Sequence, residues 1–218
     1  MAPEKPSGYY AQTRAELVAR LPRPLGSVLD VGCGEGGAAG PLRAAGAERI
    51  TGIEIHEPAA ARAREVYDEV AAAPAEEALA TLSGPFDTIL LYDVLEHLVD
   101  PSGLLRALVG VAAAGAHVHV SVPNARYQGL LVDLVVRGTF GYGPYGHRDS
   151  THLRWFTKGD IVRELESAGW SVEQVGHGPL RPASRLLDRL SRGLSTEFAV
   201  VQWSVLARAR GSEAAASR

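Results

Sequence analysis

The chain has 218 residues, 46% of them hydrophobic and 22% charged, which is enough for one α/β domain around a buried sheet. A formal net charge of −3 offers no electrostatic ground for a nucleic-acid partner, and Cys33, the only cysteine, excludes an intrachain disulfide or a cysteine-built zinc site. No apolar run reaches the roughly 18 residues of a membrane span, and the N-terminus lacks an apolar signal core, so a cytoplasmic protein without a membrane partner is expected. The basic residues are nearly all arginine, with Lys5 and Lys158 the only lysines. Together with the many alanines this suggests a bacterial, GC-rich source.

In chain order, residues 1–8 are expected to be loose, and residues 9–21 suit a short amphipathic helix stopped by Pro22 and Pro24. SVLDVG (27–32) is a short apolar run ending in glycines and predicts a buried strand. A helix follows over 38–47, a second strand over 49–55, and a helix over 58–70 with Pro58 in its first turn. A short third strand is expected near Glu69–Ala73. FDTILLYD (86–93) is a strong fourth strand. Residues 94–113 are helical with a break at Asp100–Pro101, and HVHVSVPN (117–124) is a fifth strand. Residues 124–156, rich in glycine and aromatics, depart from the pattern and predict a lid insertion. Thr157–Asp160 reads as a capping box for a helix through Trp170. Strands at 171–177 and 198–209 close the domain, and 211–218 is expected to be a disordered tail. Strands alternating with helices predict an α/β, doubly wound, mostly parallel sheet in a single domain over 1–210.

The chemistry concentrates at DVGCGEGG (30–37). Gly32-x-Gly34-x-x-Gly37 alone also satisfies the dinucleotide fingerprint, and Glu54, at the end of the second strand, suits ribose hydroxyls in either case. Asp30 separates the two readings. A carboxylate two residues before the first glycine would repel a diphosphate, but it attracts the α-ammonium of S-adenosylmethionine. The rivals are an NAD-linked oxidoreductase, for which no Tyr-x-x-x-Lys pair is present, and a non-catalytic subunit of the same fold.

VLDVGCGEGG resembles motif I of class I S-adenosylmethionine-dependent methyltransferases, and GIEI (52–55) resembles their second motif. FDTILLYDVLEHLVDP (86–101) is similar to the strand-four segment of the subgroup related to ubiquinone-biosynthesis methyltransferases. The resemblance covers roughly residues 9–125. It implies a Rossmann-like sheet of seven strands with an antiparallel last strand. It also implies that Asp30, Gly32 and Gly34 lie along the methionine part of the cofactor, and Cys33 between the glycines is taken as a further cofactor contact. By the same resemblance Glu54 holds the ribose, Ile55 flanks the adenine, and Tyr92 and Asp93 line the floor near the sulfonium, with His97 close by. The pattern breaks after strand three, where an acidic residue is replaced by Pro74 or Ala75. Ala75 is taken as the adenine-side contact, with Glu76 as an alternative. Tyr9, Tyr10 and Arg14 suit a cover over the cofactor, with Arg14 meeting its carboxylate.

Methyl transfer is an in-line displacement, so alignment matters most, and a base is needed only for an unactivated hydroxyl. Glu96-His97 supplies either a base or a fixed loop. In GHRDSTHLRWFT (146–157), His152 or His147 is a candidate base with Asp149 orienting it. A metal held by His147, Asp149 and His152 and a purely structural bonding of Asp149 and His152 to Pro123–Asn124 are the alternatives. The expected activity is O-methylation of a small-molecule acceptor: a natural product, sugar or quinone-like compound. A homodimer is open at this stage.

Overall fold

The computed structural model describes residues 8–82, 84–178 and 195–210. The expected tail at 211–218 lies outside the described residues. The elements are α1 (Ala15–Val18), β1 (Gly26–Val31), α2 (Ala39–Ala44), β2 (Ala47–Ile53), α3 (Glu57–Ala63), β3 (Glu69–Ala71), α4 (Ala75–Leu79) and β4 (Phe86–Tyr92). After them come a 3₁₀ turn at Leu95–His97, α5 (Pro101–Val111), β5 (Ala112–Pro123), α6 (Gln128–Val135), α7 (Lys158–Ser167), β6 (Trp170–His177), α8 (Thr196–Ala199) and β7 (Gln202–Ala209).

The strands form one seven-stranded sheet in the order β3-β2-β1-β4-β5-β7-β6. β7 runs antiparallel to both β5 and β6, while β1 to β5 pair in parallel. This is the doubly wound sheet with an antiparallel last strand that the sequence implies. Buried clusters lie on both faces. One gathers Leu29, Ile89, Leu91, Leu104, Leu108, Val120, Ile161, Leu165 and Trp170; the other gathers Leu17, Val28, Leu42, Ile50, Tyr67, Leu90 and Tyr92. The alternation along β4 explains the split, since Ile89 and Leu91 point to one face and Leu90 and Tyr92 to the other.

Local chemistry sets several boundaries as expected. Asp100 caps α5 by accepting from Gly103 N at 2.9 Å, with Pro101 in the first turn. The Thr157–Asp160 capping box starts α7. Other expectations need correction. The helix foreseen over 9–21 shrinks to Ala15–Val18, because Tyr10 lends its carbonyl to Glu35 N and Arg14 adopts a left-handed φ of 52°. The helix foreseen to residue 70 stops at Ala63, because Asp68 turns back to accept from Ile50 N at 2.6 Å. β5 begins at Ala112, five residues earlier than the alternating HVHV pattern shows. The final strand begins at Gln202, since Thr196–Ala199 is helical. The lid region carries an α-helix, α6, and a 3₁₀ turn at Gly146–Arg148 that its composition conceals.

Candidate active site

The carboxyl ends of β1, β2 and β4 open into a cavity of about 680 Å³. Such crevices are the usual ligand sites of open parallel sheets. Its lining includes every residue chosen from the sequence: Tyr10, Arg14, Asp30, Gly32, Cys33, Gly34, Glu54, Ile55, Ala75, Tyr92, Asp93, His97, His147, Asp149 and His152. It also includes Pro74 and Glu76, so the chain itself brings the break after strand three to the cavity.

At one end the glycine loop and Glu54 form a single bonded unit. Gly34 N donates to Glu54 Oε2 at 2.9 Å and His56 N donates to Oε1 at 2.8 Å. The carboxylate is therefore held by backbone and keeps lone pairs for further donors such as paired hydroxyls. Gly34 has a φ of +57°, and a Cβ there would run into the Tyr10 carbonyl oxygen. Only glycine allows the N-terminal segment to lie this close to the loop. That segment is fastened as a strap. The Tyr10 ring stacks on His56 with centroids 4.7 Å apart, and Arg14 pairs with Asp93 at 2.5 Å. Arg14 and Asp93 are the only non-glycine residues with positive φ among the described residues, which marks both as held by their surroundings. Gln202 also donates to Asp93.

Asp30 is 5% exposed at the end of β1. Burial pushes its carboxyl up to about 6, against the pull of a hydrogen bond from Tyr67 and the charge of Arg14. A buried carboxylate without a bonded cation fits a ligand that brings an ammonium, and Glu54 fits its ribose. The donor set thus suits S-adenosylmethionine, and the carboxylate at position 30 disfavours a diphosphate.

At the other end, residues 145–156 fold over the cavity. His147 Nε2–H donates to the Asn124 carbonyl at 2.7 Å. His147 thus makes a bond into that loop. Asp149 is 1% exposed, and its Oδ1 accepts from Thr151 N at 3.0 Å and from Thr151 Oγ1 at 2.7 Å. His97 Nδ1 lies 3.1 Å from Thr151 Oγ1 and 3.2 Å from the Thr151 carbonyl. With the hydroxyl proton directed to Asp149, His97 Nδ1–H is the donor. A path Asp149–Thr151–His97 results, so through Thr151 the carboxylate reaches the histidine after β4.

The His152 ring packs at 4.7 Å from His97 and 5.6 Å from Trp155. Burial, with the neighbouring His97, pushes the His152 imidazole down to about 4, and burial also lowers His147. Glu96 is 1% exposed, and neither carboxylate oxygen has a hydrogen-bond partner. Burial and nearby Asp93 hold it well above the usual carboxylate range. Glu96, His97 and His152 each offer a ligand atom within 4.8 Å of the others, an N/O donor set different from the His147, Asp149 and His152 considered from sequence. Sequence reasoning missed Tyr67 and Gln202, which belong to no motif, and gave Thr151 no role.

The sheet order, the glycine loop and the acid after β2 define the architecture of S-adenosylmethionine-dependent methyltransferases. A S-adenosylmethionine-dependent methyltransferase from Archaeoglobus fulgidus superposes with a TM-score of 0.67 at 18% identity, covering 92% of this chain and 96% of that one. Magnesium protoporphyrin IX methyltransferase from Synechocystis PCC 6803, solved with bound S-adenosylhomocysteine, gives 0.58 at 23% identity, over 90% of this chain and 79% of that one. The methyltransferase-domain family profile matches residues 4–175, and the chain belongs to this family. A ubiquinone biosynthesis O-methyltransferase from Caulobacter sp. (strain K31) is 32% identical over 179 residues, covering 78% of this chain and 68% of the relative. That of Bordetella parapertussis is 32% identical over 133 residues, covering 54% and 55%. The chain therefore spans about half the length of several of the curated relatives it matches. The cofactor of the family is S-adenosyl-L-methionine. Among the described residues no helix is long and apolar enough to cross a membrane.

Proposed function

We propose that this protein O-methylates the hydroxyl of a small-molecule acceptor, a natural product, sugar or quinone-like compound, in the bacterial cytoplasm. One observation carries the reading. A single cavity joins the Asp30–Glu54 end, which suits the cofactor, to a lid end containing His97, His147 and His152. The names of the curated relatives support the reaction class.

When bound, the cofactor supplies an electrophilic methyl group on a sulfonium. Asp30 would hold its ammonium, Glu54 its ribose, and Ala75 and Ile55 its base, with Tyr92 in the floor of the cavity. Arg14 and Tyr10 hold the strap across this end and exclude water. At the lid end an acceptor hydroxyl would lie among the histidines, and an imidazole there would take up its proton as the oxygen is methylated.

His97 suits this base role best. Its Nδ1 donates to Thr151, whose hydroxyl donates to Asp149, and in that tautomer Nε2 is the unprotonated ring nitrogen. His152, with a basicity lowered to about 4, and His147, with Nε2 engaged by Asn124, frame the acceptor. Asp149 orients the base through Thr151.

Calorimetry with S-adenosylhomocysteine and with NAD, followed by labelled methyl transfer to a panel of catechols, phenols and hydroxyl-bearing sugars, tests the reading. Micromolar S-adenosylhomocysteine binding and a methyl ether product are expected. NAD binding without S-adenosylhomocysteine binding would overturn it.

A further inference from the structure

Tyr67 stands in the link between α3 and β3 and belongs to no motif, yet its side chain ends inside the cofactor site. The ring is 6% exposed, and the phenol donates to Asp30 Oδ2 at 2.6 Å. The link that carries it is pinned on both sides: Tyr67 N bonds the Ala63 carbonyl at 2.9 Å, and Asp68 N bonds the Ile50 carbonyl at 3.0 Å. Asp68 also accepts from Ile50 N and from Arg43.

The route to Asp30 depends on one missing side chain. Asp30 pairs with Gly52 across β1 and β2. A Cβ on Gly52 would stand 2.7 Å from Cys33 Sγ and 2.9 Å from Tyr67 Cδ2. Glycine at 52 therefore opens the space through which the ring crosses β2 to reach the carboxylate on β1.

We propose that Tyr67 is the positioning residue for Asp30, occupying Oδ2 so that Oδ1 is presented to the ammonium at the amino-acid end of the cofactor. The proposal rests on the assignment of Asp30 to that ammonium. Two consequences follow from the chemistry. A fixed carboxylate meets the ammonium without losing rotamer freedom on binding. The phenol also stabilises the ionised form, the only one that attracts a cation.

The groups facing Asp30 are Tyr67 from the α3–β3 link, Cys33 from the glycine loop, Glu54 from the end of β2, Tyr92 from β4 and Arg14 from the strap. Burial and Glu54 push the Asp30 carboxyl up, while Tyr67 and Arg14 pull it down, to a balance at about 6. Burial and the Asp30 charge keep Tyr67 a neutral donor throughout the accessible range. Without the phenol, Asp30 takes up its proton at higher pH and loses its attraction for the ammonium near neutrality.

The test is calorimetry of wild type, Tyr67→Phe, Gly52→Ala and Asp30→Ala with two probes at pH 6.5 and 8.0. S-adenosylhomocysteine carries the ammonium; 5′-methylthioadenosine shares the adenosine and sulfur but lacks the amino-acid end. Tyr67→Phe is expected to weaken S-adenosylhomocysteine about tenfold at pH 6.5 and less at pH 8.0, with 5′-methylthioadenosine unchanged. Gly52→Ala, which crowds the ring, is expected to follow Tyr67→Phe. An unchanged S-adenosylhomocysteine affinity in Tyr67→Phe overturns the proposal, as does an equal loss for both probes at both pH values, the signature of packing alone. Asp30→Ala separates the levels. If it leaves S-adenosylhomocysteine affinity intact, the ammonium assignment itself falls. If it weakens that affinity while Tyr67→Phe does not, only the role of Tyr67 falls.

Discussion

The two ends of the cavity are built in different ways. At the cofactor end, backbone does most of the holding: Gly34 N grips Glu54 twenty residues away in sequence, and His56 N grips it from two. At the lid end, side chains from remote segments do it. His97 reaches Thr151 across 54 residues, and Asn124 Nδ2 reaches the Val200 carbonyl across 76. Backbone adds to these there, since Leu153 N and Arg154 N both donate to the Glu96 carbonyl. Backbone geometry can be encoded in a few adjacent glycines, so that end is shared widely within a fold. Long-range side-chain contacts can be replaced one at a time, so the lid end is where acceptor choice can diverge.

The sharpest separation of the two ends should come from His97. Replacing it with alanine is expected to lower methyl transfer by about a hundredfold or more, while S-adenosylhomocysteine affinity stays within about twofold. His152→Ala and His147→Ala should act in the same direction with a smaller loss. Wild-type turnover in all three would reduce the lid histidines to packing. Next in size is Asn124→Ala. Its side-chain amide, 0% exposed, donates to the carbonyls of Glu197 and Val200, so its loss should cost about 2–3 kcal/mol in urea unfolding. Cofactor affinity should move little, and a large drop in it would mean that the two ends are not independent.

At the cofactor end, Asp30→Ala should weaken S-adenosylhomocysteine at least tenfold, about 1.4 kcal/mol, by isothermal titration. The remaining effect is on stability. The Asp30 carboxyl lies at about 6 when folded, above its ordinary 3.8, so folding favours its protonated form. That advantage is fully present below about pH 4 and is lost as pH rises through about 6. Asp30→Asn should therefore stabilise the ligand-free protein above pH 6, and not below pH 4. An equal gain at both pH values would show that the mutation acts through packing.

The contrast also explains what was readable beforehand. Asp30, the glycine loop and Glu54 were legible because strand periodicity and glycine placement are local properties. The short strand expected near Glu69–Ala73 is present over Glu69–Ala71. The helix foreseen over 9–21 failed because propensity describes an isolated segment. In the folded chain the Tyr10 carbonyl serves Glu35 N and Arg14 turns left-handed toward Asp93. His147 and His152 were recognised as chemically capable, but which histidine Asp149 serves depended on where Thr151 stands.

By itself the sequence determined the alternating sheet, the Asp30–Gly34 loop and the acid at position 54, and with them the class of cofactor. Tertiary structure alone decided that Tyr67 reaches Asp30 over the bare face of Gly52, and that His97 is tied to Asp149 through Thr151. The reason is physical. A turn or a strand follows from the torsional preferences of neighbouring residues. The orientation and charge state of a buried carboxylate follow from whichever donors the rest of the fold brings within about 3 Å.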